Sequence, residues 1–206
     1  GRTTTWSYDG ADRVQTILDA QGRLYQFAYD ALNRVSTVTD PSSTVASTKT
    51  YTNNGLLKTI KDANNNVTQF AYDGLDRPSV TTFADSTTSQ VTSYDGNSNV
   101  LTAVRRSGNS IVFTYDALNR VSTKAPAGQP TVTYGYDLAN RLTSVSKPVV
   151  GGDPSSGNFQ RFYDTAGRFF QEQDPGGKTV THVLDANSNR TKTTWPDGYF
   201  VTRTFD

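Results

Sequence analysis

The chain repeats itself at a fixed spacing, and that period limits what it can fold into more than any other feature. YDALNRVST occurs letter for letter at residues 29–37 and 115–123. Looser copies begin at the other members of the series Tyr8, Tyr29, Tyr51, Tyr72, Tyr94, Tyr115, Tyr136 and Tyr163, which Leu184 and Phe205 continue. Successive intervals are 21, 22, 21, 22, 21, 21, 27, 21 and 21 residues. A unit this short cannot bury an apolar face alone, so it must stack on its neighbours in a quasi-linear array.

Each unit carries its own turn signal. In Asp30-Ala31-Leu32-Asn33-Arg34 the Asp opens a type I turn. Asn33 then takes the left-handed backbone that closes a three-residue hairpin with a bulge. Asn, Asp and Gly accept that conformation most readily, and the equivalent positions hold Asp12, Gly55, Asp76, Asn119, Asn140 and Gly167. Ser98 and Ser188 fit less well, and the Asn residues beside them would shift the turn by one. The expected repeat-forming residues are therefore Tyr8 and Asp9; Tyr29, Asp30, Asn33 and Arg34; Tyr51 and Gly55; Tyr72, Asp73 and Arg77; Tyr94 and Asp95; Tyr115, Asp116, Asn119 and Arg120; Tyr136, Asp137 and Arg141; and Tyr163, Asp164, Gly167 and Arg168.

A second, weaker turn falls midway, as in Asp19-Ala20-Gln21-Gly22 and Asp174-Pro175-Gly176-Gly177. Two strands and two turns per unit give an all-β, antiparallel β-meander. Alternation sets Tyr25, Phe27 and Tyr29 on one face, and likewise Phe70 with Tyr72 and Phe113 with Tyr115. Aromatic columns result, with rings about 9.6 Å apart because they recur on every second strand; Val35 or Val121 is expected to fill the gap. So many strands exceed the roughly ten that a twisted open sheet holds without curling, so a long curled or spiral sheet, a partial shell, is expected. Residues 1–206 read as one continuous array, with an exposed insertion loop at 147–160 rich in Gly, Pro and Ser.

Composition agrees with a β-rich chain. Leu, Ile, Val and Phe total 42 residues, near the level where a chain struggles to offset its ordering entropy. Against disorder stand a net charge of +1, 11 Tyr, 10 Phe and about thirty Thr, which are strand-forming types. All acids but Glu172 are Asp, a skew toward turns and away from helix interiors. There is no Cys and no Met, and the start at Gly1 suggests a piece of something longer. No apolar run approaches the roughly 20 residues of a membrane span, and the charge balance offers no basic stripe for nucleic acid.

Residues with catalytic potential are few. His182 is the only histidine and occupies the slot filled elsewhere by Trp6, Phe27, Phe70, Phe113 and Tyr134, so it reads as a packed ring. One His without Cys cannot build a His/Cys zinc site, and the hydroxyls have no plausible base for a triad. Aspartates that recur beside the same turn in unit after unit read as caps and as local partners of Arg, rather than as metal ligands. No phosphate-cradling loop or calcium loop is present. No catalytic residue, metal or cofactor is assigned.

The segments YDGADRV, YDALNRV, YDGLDRP, YDALNRV, YDLANRL and YDTAGRF resemble the YD repeats of the RHS family, found in bacterial secreted and surface proteins and in the related shells of teneurins. The resemblance covers essentially the whole chain. It implies a β-sheet that spirals into a hollow shell, which in toxin complexes encloses a C-terminal toxin. Complete shells are several times longer, so the chain resembles a stretch of wall. Part of the family's C-terminal core pattern is echoed at Arg161–Asp164, Gly167–Phe169 and Asp174-Pro175. Its closing elements are missing, and no self-cleavage is assigned.

The leading expectation is a non-enzymatic structural segment, secreted or at the surface of a bacterium. Its partners would be the rest of one long polypeptide and an encapsulated toxin or other cargo. The alternative is an adhesive module that binds glycans or a protein through exposed aromatic and polar side chains; an enzyme ranks third. Unpaired strands at the two ends leave edges through which copies could associate.

Overall fold

The computed structural model describes residues 3–149, 151 and 156–205. Nineteen strands and no helix lie among them: β1 (Thr5–Tyr8), β2 (Val14–Leu18), β3 (Leu24–Tyr29), β4 (Val35–Thr39), β5 (Val45–Tyr51), β6 (Leu57–Asp62), β7 (Val67–Tyr72), β8 (Pro78–Thr82), β9 (Thr88–Tyr94), β10 (Val100–Val104), β11 (Ser110–Tyr115), β12 (Val121–Pro126), β13 (Val132–Tyr136), β14 (Leu142–Lys147), β15 (Gly157–Tyr163), β16 (Phe169–Gln173), β17 (Thr179–Leu184), β18 (Arg190–Thr194) and β19 (Phe200–Thr202). The chain forms two compact units, residues 1–93 with 103–108, and 94–102 with 109–206. The tyrosine spacing runs on unbroken at 21 residues from Tyr94 to Tyr115.

In the first unit each strand from β1 to β8 pairs antiparallel with its successor. In the second the same holds from β11 to β19. This is the all-β antiparallel meander that the two-turn unit dictates. The hairpins at Tyr8, Tyr29, Tyr51, Tyr72, Tyr115, Tyr136 and Tyr163 carry a register shift at that tyrosine, as between Ala28 and Tyr29 or Thr114 and Tyr115. The extra residue comes from the turn: Asn33 has φ 63° and Gly55 φ 85°, the left-handed step of a three-residue hairpin.

The midway turns are as regular as those at the tyrosines. Gly22, Ser43, Asn65, Ser86, Gly108, Gly128, Gly177 and Gly198 all have φ between 63° and 83°. Ser98 and Ser188 sit in the same region, at 66° and 68°, so the turns there are not shifted by a residue. At both positions an Asp three residues back accepts the Ser backbone N–H at 3.1 Å. That bond holds the loop length constant whatever the side chain.

Side chains alternate about the pleat. In β3, Leu24, Gln26 and Ala28 are exposed while Tyr25, Phe27 and Tyr29 are half-buried. On the aromatic face, the residue two before each repeat tyrosine lies opposite the residue nine after it: Trp6 opposite Ile17, Phe27 opposite Val38, Phe70 opposite Thr81 and Tyr134 opposite Val145. Such cross-strand pairs contribute on the order of 0.2–1 kcal/mol each.

Burial is shallow throughout. Ile111, at 7% exposure, is the one buried apolar side chain among the described residues. The chain exposes 13275 Å², against roughly 9,500 Å² for a compact monomer of its mass. Its stability is therefore distributed along neighbouring strands rather than gathered in a core.

Lys147 ends β14 and pairs with Gly157, the first residue of β15. The connection is thus residues 148–156, shorter than the 147–160 expected from composition, because four pairs of ladder extend into both flanks. Residues 150 and 152–155 of that expected loop lie outside the described residues.

Candidate functional site

The constellation that recurs along the described residues is the repeat turn itself. Oδ1 of Asp30 accepts the backbone N–H groups of Leu32 (2.9 Å) and Arg34 (3.0 Å), and Oδ2 accepts Nε of Arg34 at 2.7 Å. The same three bonds recur at Asp9 with Arg13, Asp73 with Arg77, Asp116 with Arg120 and Asp137 with Arg141. Asp164 holds Arg168 in the same way. A short Asp side chain can meet both backbone donors while its second oxygen faces the guanidinium, giving a charge-assisted bond of fixed direction. The side-chain bond from Arg34, then its backbone N–H, hold the Asp30 carboxyl below the usual carboxylate range.

Fixing the arginine fixes the next unit. The guanidinium of Arg13 lies 4.4 Å from the ring centre of Tyr29, Arg34 4.2 Å from Tyr51, Arg120 4.6 Å from Tyr136 and Arg141 4.5 Å from Tyr163. These are cation–π contacts, worth about 0.5–2 kcal/mol according to desolvation. Each clasped tyrosine also donates its hydroxyl to a backbone carbonyl of the preceding unit: Tyr29 to Val14 and Tyr51 to Val35 (both 2.7 Å), Tyr136 to Val121 (3.0 Å) and Tyr163 to Leu142 (3.1 Å). Tyr72 and Tyr115 bond to Leu57 and Val100 at 2.9 Å, and Leu56 and Asn99 stand in the slot that arginine fills before the clasped tyrosines. Burial, and then the Asp95 charge, raise the Tyr115 phenol above its ordinary value. The long interval before Tyr163 leaves the clasp intact.

A third link runs along the turns. Nη1 of Arg13 donates to Oδ1 of Asn33 at 2.6 Å, and Nη1 of Arg120 to Oδ1 of Asn140 at 2.9 Å. Where the next unit has Gly55 instead, Nη1 of Arg34 is buried without a hydrogen-bond partner. Tyr8, 58% exposed, lies before the first such clasp. Asn54 bridges its unit to the next through both oxygens of Asp76 (2.8 and 3.0 Å).

The opposite rim has its own version. Arg106 bonds Asp85 and Oγ1 of Thr87 (2.6 Å) and stacks 4.3 Å from the Phe83 ring. The Thr87 hydroxyl first, then Arg106, lower the Asp85 carboxyl to about 2.

Val35 and Val121 lie opposite Tyr29 and Tyr115 in the ladder, on the strand between successive rings. The guanidinium of Arg34 is a further group over Tyr51, and the Val35 carbonyl accepts the Tyr51 hydroxyl. Sequence reasoning treated the arginine as a local partner of Asp; its recurrence five residues after a tyrosine, beside another tyrosine one period on, was the available signal.

His182 is 9% exposed, bonds Oγ1 of Thr193 through Nδ1 (3.0 Å) and packs on Phe169 with centroids 5.6 Å apart. Burial, and then Arg190, lower its basicity, with Glu172 acting the other way. Among the described residues no three His, Asp or Glu side chains gather as a metal site, and no helix is long and apolar enough to cross a membrane.

The RHS Repeat family model matches residues 8–45 and 51–88. No curated protein sequence matches the chain. Among solved structures it is similar to the TcdB2-TccC3-Cdc42 crystal structure (TM-score 0.60, 16% identity, 92% of this chain and 13% of that one). It is also similar to the Photorhabdus luminescens Tc holotoxin pore (TM-score 0.58, 17% identity, 93% and 13%). The likeness is one of fold, and the chain spans 13% of the length of either neighbour.

Proposed function

We propose that this chain, an RHS-repeat array by sequence and fold, is a non-catalytic stretch of wall in a larger shell that encloses a polypeptide cargo such as a toxin. The observation that carries the reading is the clasp: Asp, Arg and the next unit's Tyr devote their polar groups to joining one unit to the next. Side chains so occupied are committed to building sheet, which is what a wall requires and an active site does not. The similarity of fold to Tc toxin structures supports the same reading. A secreted or cell-surface protein of a bacterium fits it, with the remaining wall and the cargo as partners.

Limited proteolysis of the longer YD-repeat protein carrying this segment tests the proposal. A cargo segment that resists protease while the wall is intact, and is digested once the wall is opened by denaturant, is the expected result. Digestion of every segment outside the repeats at equal rates would overturn it.

A further inference from the structure

Along the aromatic face charged residues such as Lys49 and Lys124 stand singly, and at one place several fall together. Two residues before each repeat tyrosine stand Trp6, Phe27, Lys49, Phe70, Thr92, Phe113 and Tyr134, and then Arg161 and His182. Six residues after it stand Val14, Val35, Leu57, Pro78, Val100, Val121 and Leu142, and then Phe169 and Arg190. Nine residues after it, Glu172 follows Val145. Arg161, Glu172, Arg190 and His182 thus replace mostly apolar or aromatic residues within three neighbouring hairpin strands and a fourth, β15 to β18. In a repeat protein, a local break of the pattern marks a site that does something besides fold.

The replacements converge. Arg161, Tyr163, Phe169, Glu172, His182 and Arg190 line one recess of about 450 Å³. Both guanidiniums approach the Phe169 ring, at 5.8 and 5.7 Å from its centre. Arg161 lies opposite Glu172 in the ladder, yet none of the three charged groups forms an ion pair among the described residues. The arginines of the repeat turns contrast with this, each held by its Asp. Two cations against one anion leave the recess with an excess positive charge beside a low-polarity ring. A second recess of about 460 Å³ shares Arg161 and Glu172 and is walled by Leu142, Val145, Phe159 and Val180. Both volumes fall in the range of ligand pockets.

We propose that these adjoining recesses bind an extended polypeptide segment carrying a carboxylate side chain and, two residues away, an apolar one. The carboxylate is received by Arg161 and Arg190, and the apolar side chain by the Val145–Phe159–Val180 wall. An extended chain sends alternate side chains to the same side about 6.6 Å apart, which suits neighbouring recesses of unlike character. This rests on the reading of the chain as a wall around a polypeptide and names what the wall would grip, but its test needs no cargo.

The probes are two fluorescein-labelled peptides, Gly-Leu-Thr-Glu-Thr-Gly and its Gln counterpart, titrated by fluorescence anisotropy. The Glu peptide binds about tenfold more tightly than the Gln peptide, as a charge-assisted bond requires. The preference vanishes in Arg161→Gln and in Arg190→Gln. It survives in Lys124→Gln, which lies on the same face opposite Phe113 and outside both recesses. His182, as the only histidine, supplies a second readout, its imidazole resonances shifting with the Glu peptide. Equal affinity of the two peptides, no binding by either, or a preference that outlasts both arginine substitutions would each overturn the assignment. None of those outcomes would bear on protease protection of a cargo.

Discussion

The guanidinium of Arg34 lies 4.2 Å from the centre of the Tyr51 ring, held there by Asp30 of its own unit. A residue of one hairpin is thereby oriented by its neighbour in sequence and spent on its neighbour in space. This relation converts a 21-residue motif without a core into a continuous sheet, and it makes the turn chemistry of one unit a term in the stability of the next.

Gly55 leaves Nη1 of Arg34 without an acceptor, where Asn33 and Asn140 satisfy the corresponding atoms of Arg13 and Arg120. A Cβ at Gly55 would stand 3.7 Å from that nitrogen, an ordinary contact, and Asn tolerates a left-handed backbone. Gly55→Asn is expected to stabilise the protein by about 1 kcal/mol, seen as a higher urea midpoint. A midpoint that stays or falls would contradict the gain expected from giving that nitrogen an acceptor.

Tyr72→Phe removes a hydroxyl bonded to the Leu57 carbonyl at 2.9 Å and should destabilise by about 1 kcal/mol. Tyr8→Phe, at a ring 58% exposed, should change stability by no more than about 0.5 kcal/mol. Thermal unfolding of the pair measures the difference, and equal effects would deny the inter-repeat bond its role.

Asp116 both caps its turn and holds Arg120. Asp116→Asn keeps an oxygen for the Leu118 and Arg120 backbone donors but loses the ion pair, whereas Asp116→Ala loses everything. Denaturation midpoints should fall in the order wild type, Asn, Ala. Coincident midpoints for the two variants would assign the whole effect to the charge.

Acid should loosen the array. Asp9, Asp30, Asp73 and Asp137 titrate below their ordinary 3.8 when folded, and Asp85 at about 2. A carboxylate whose folded value is depressed adds stability that is complete above its unfolded value. That stability is lost as pH falls toward the folded one. The urea midpoint should therefore be steady above about pH 5 and drop between roughly pH 4 and 2. A flat profile across that window would contradict the Asp–Arg geometry.

Much of this architecture is legible in the residues, because period, turn residues and alternation are local properties. Asn33 and Gly55 advertise their left-handed backbone; Ser43, Ser86, Ser98 and Ser188 do not, and take it because loop length leaves no other closure. The reach of Arg34 to Tyr51 is a tertiary fact, since Asp30 alone accounts for an arginine four residues on. The recess at Phe169 emerges only when its slots are compared with the same slots in other units, and when β15 to β18 set Arg161, Glu172, His182 and Arg190 around one ring.

Electron cryomicroscopy of the protein at its full encoded length tests the central claim most directly. The account predicts that these strands form part of a closed wall with additional polypeptide density inside it. A map in which the strands bound no interior, or an interior packed solely with their own side chains, would contradict it.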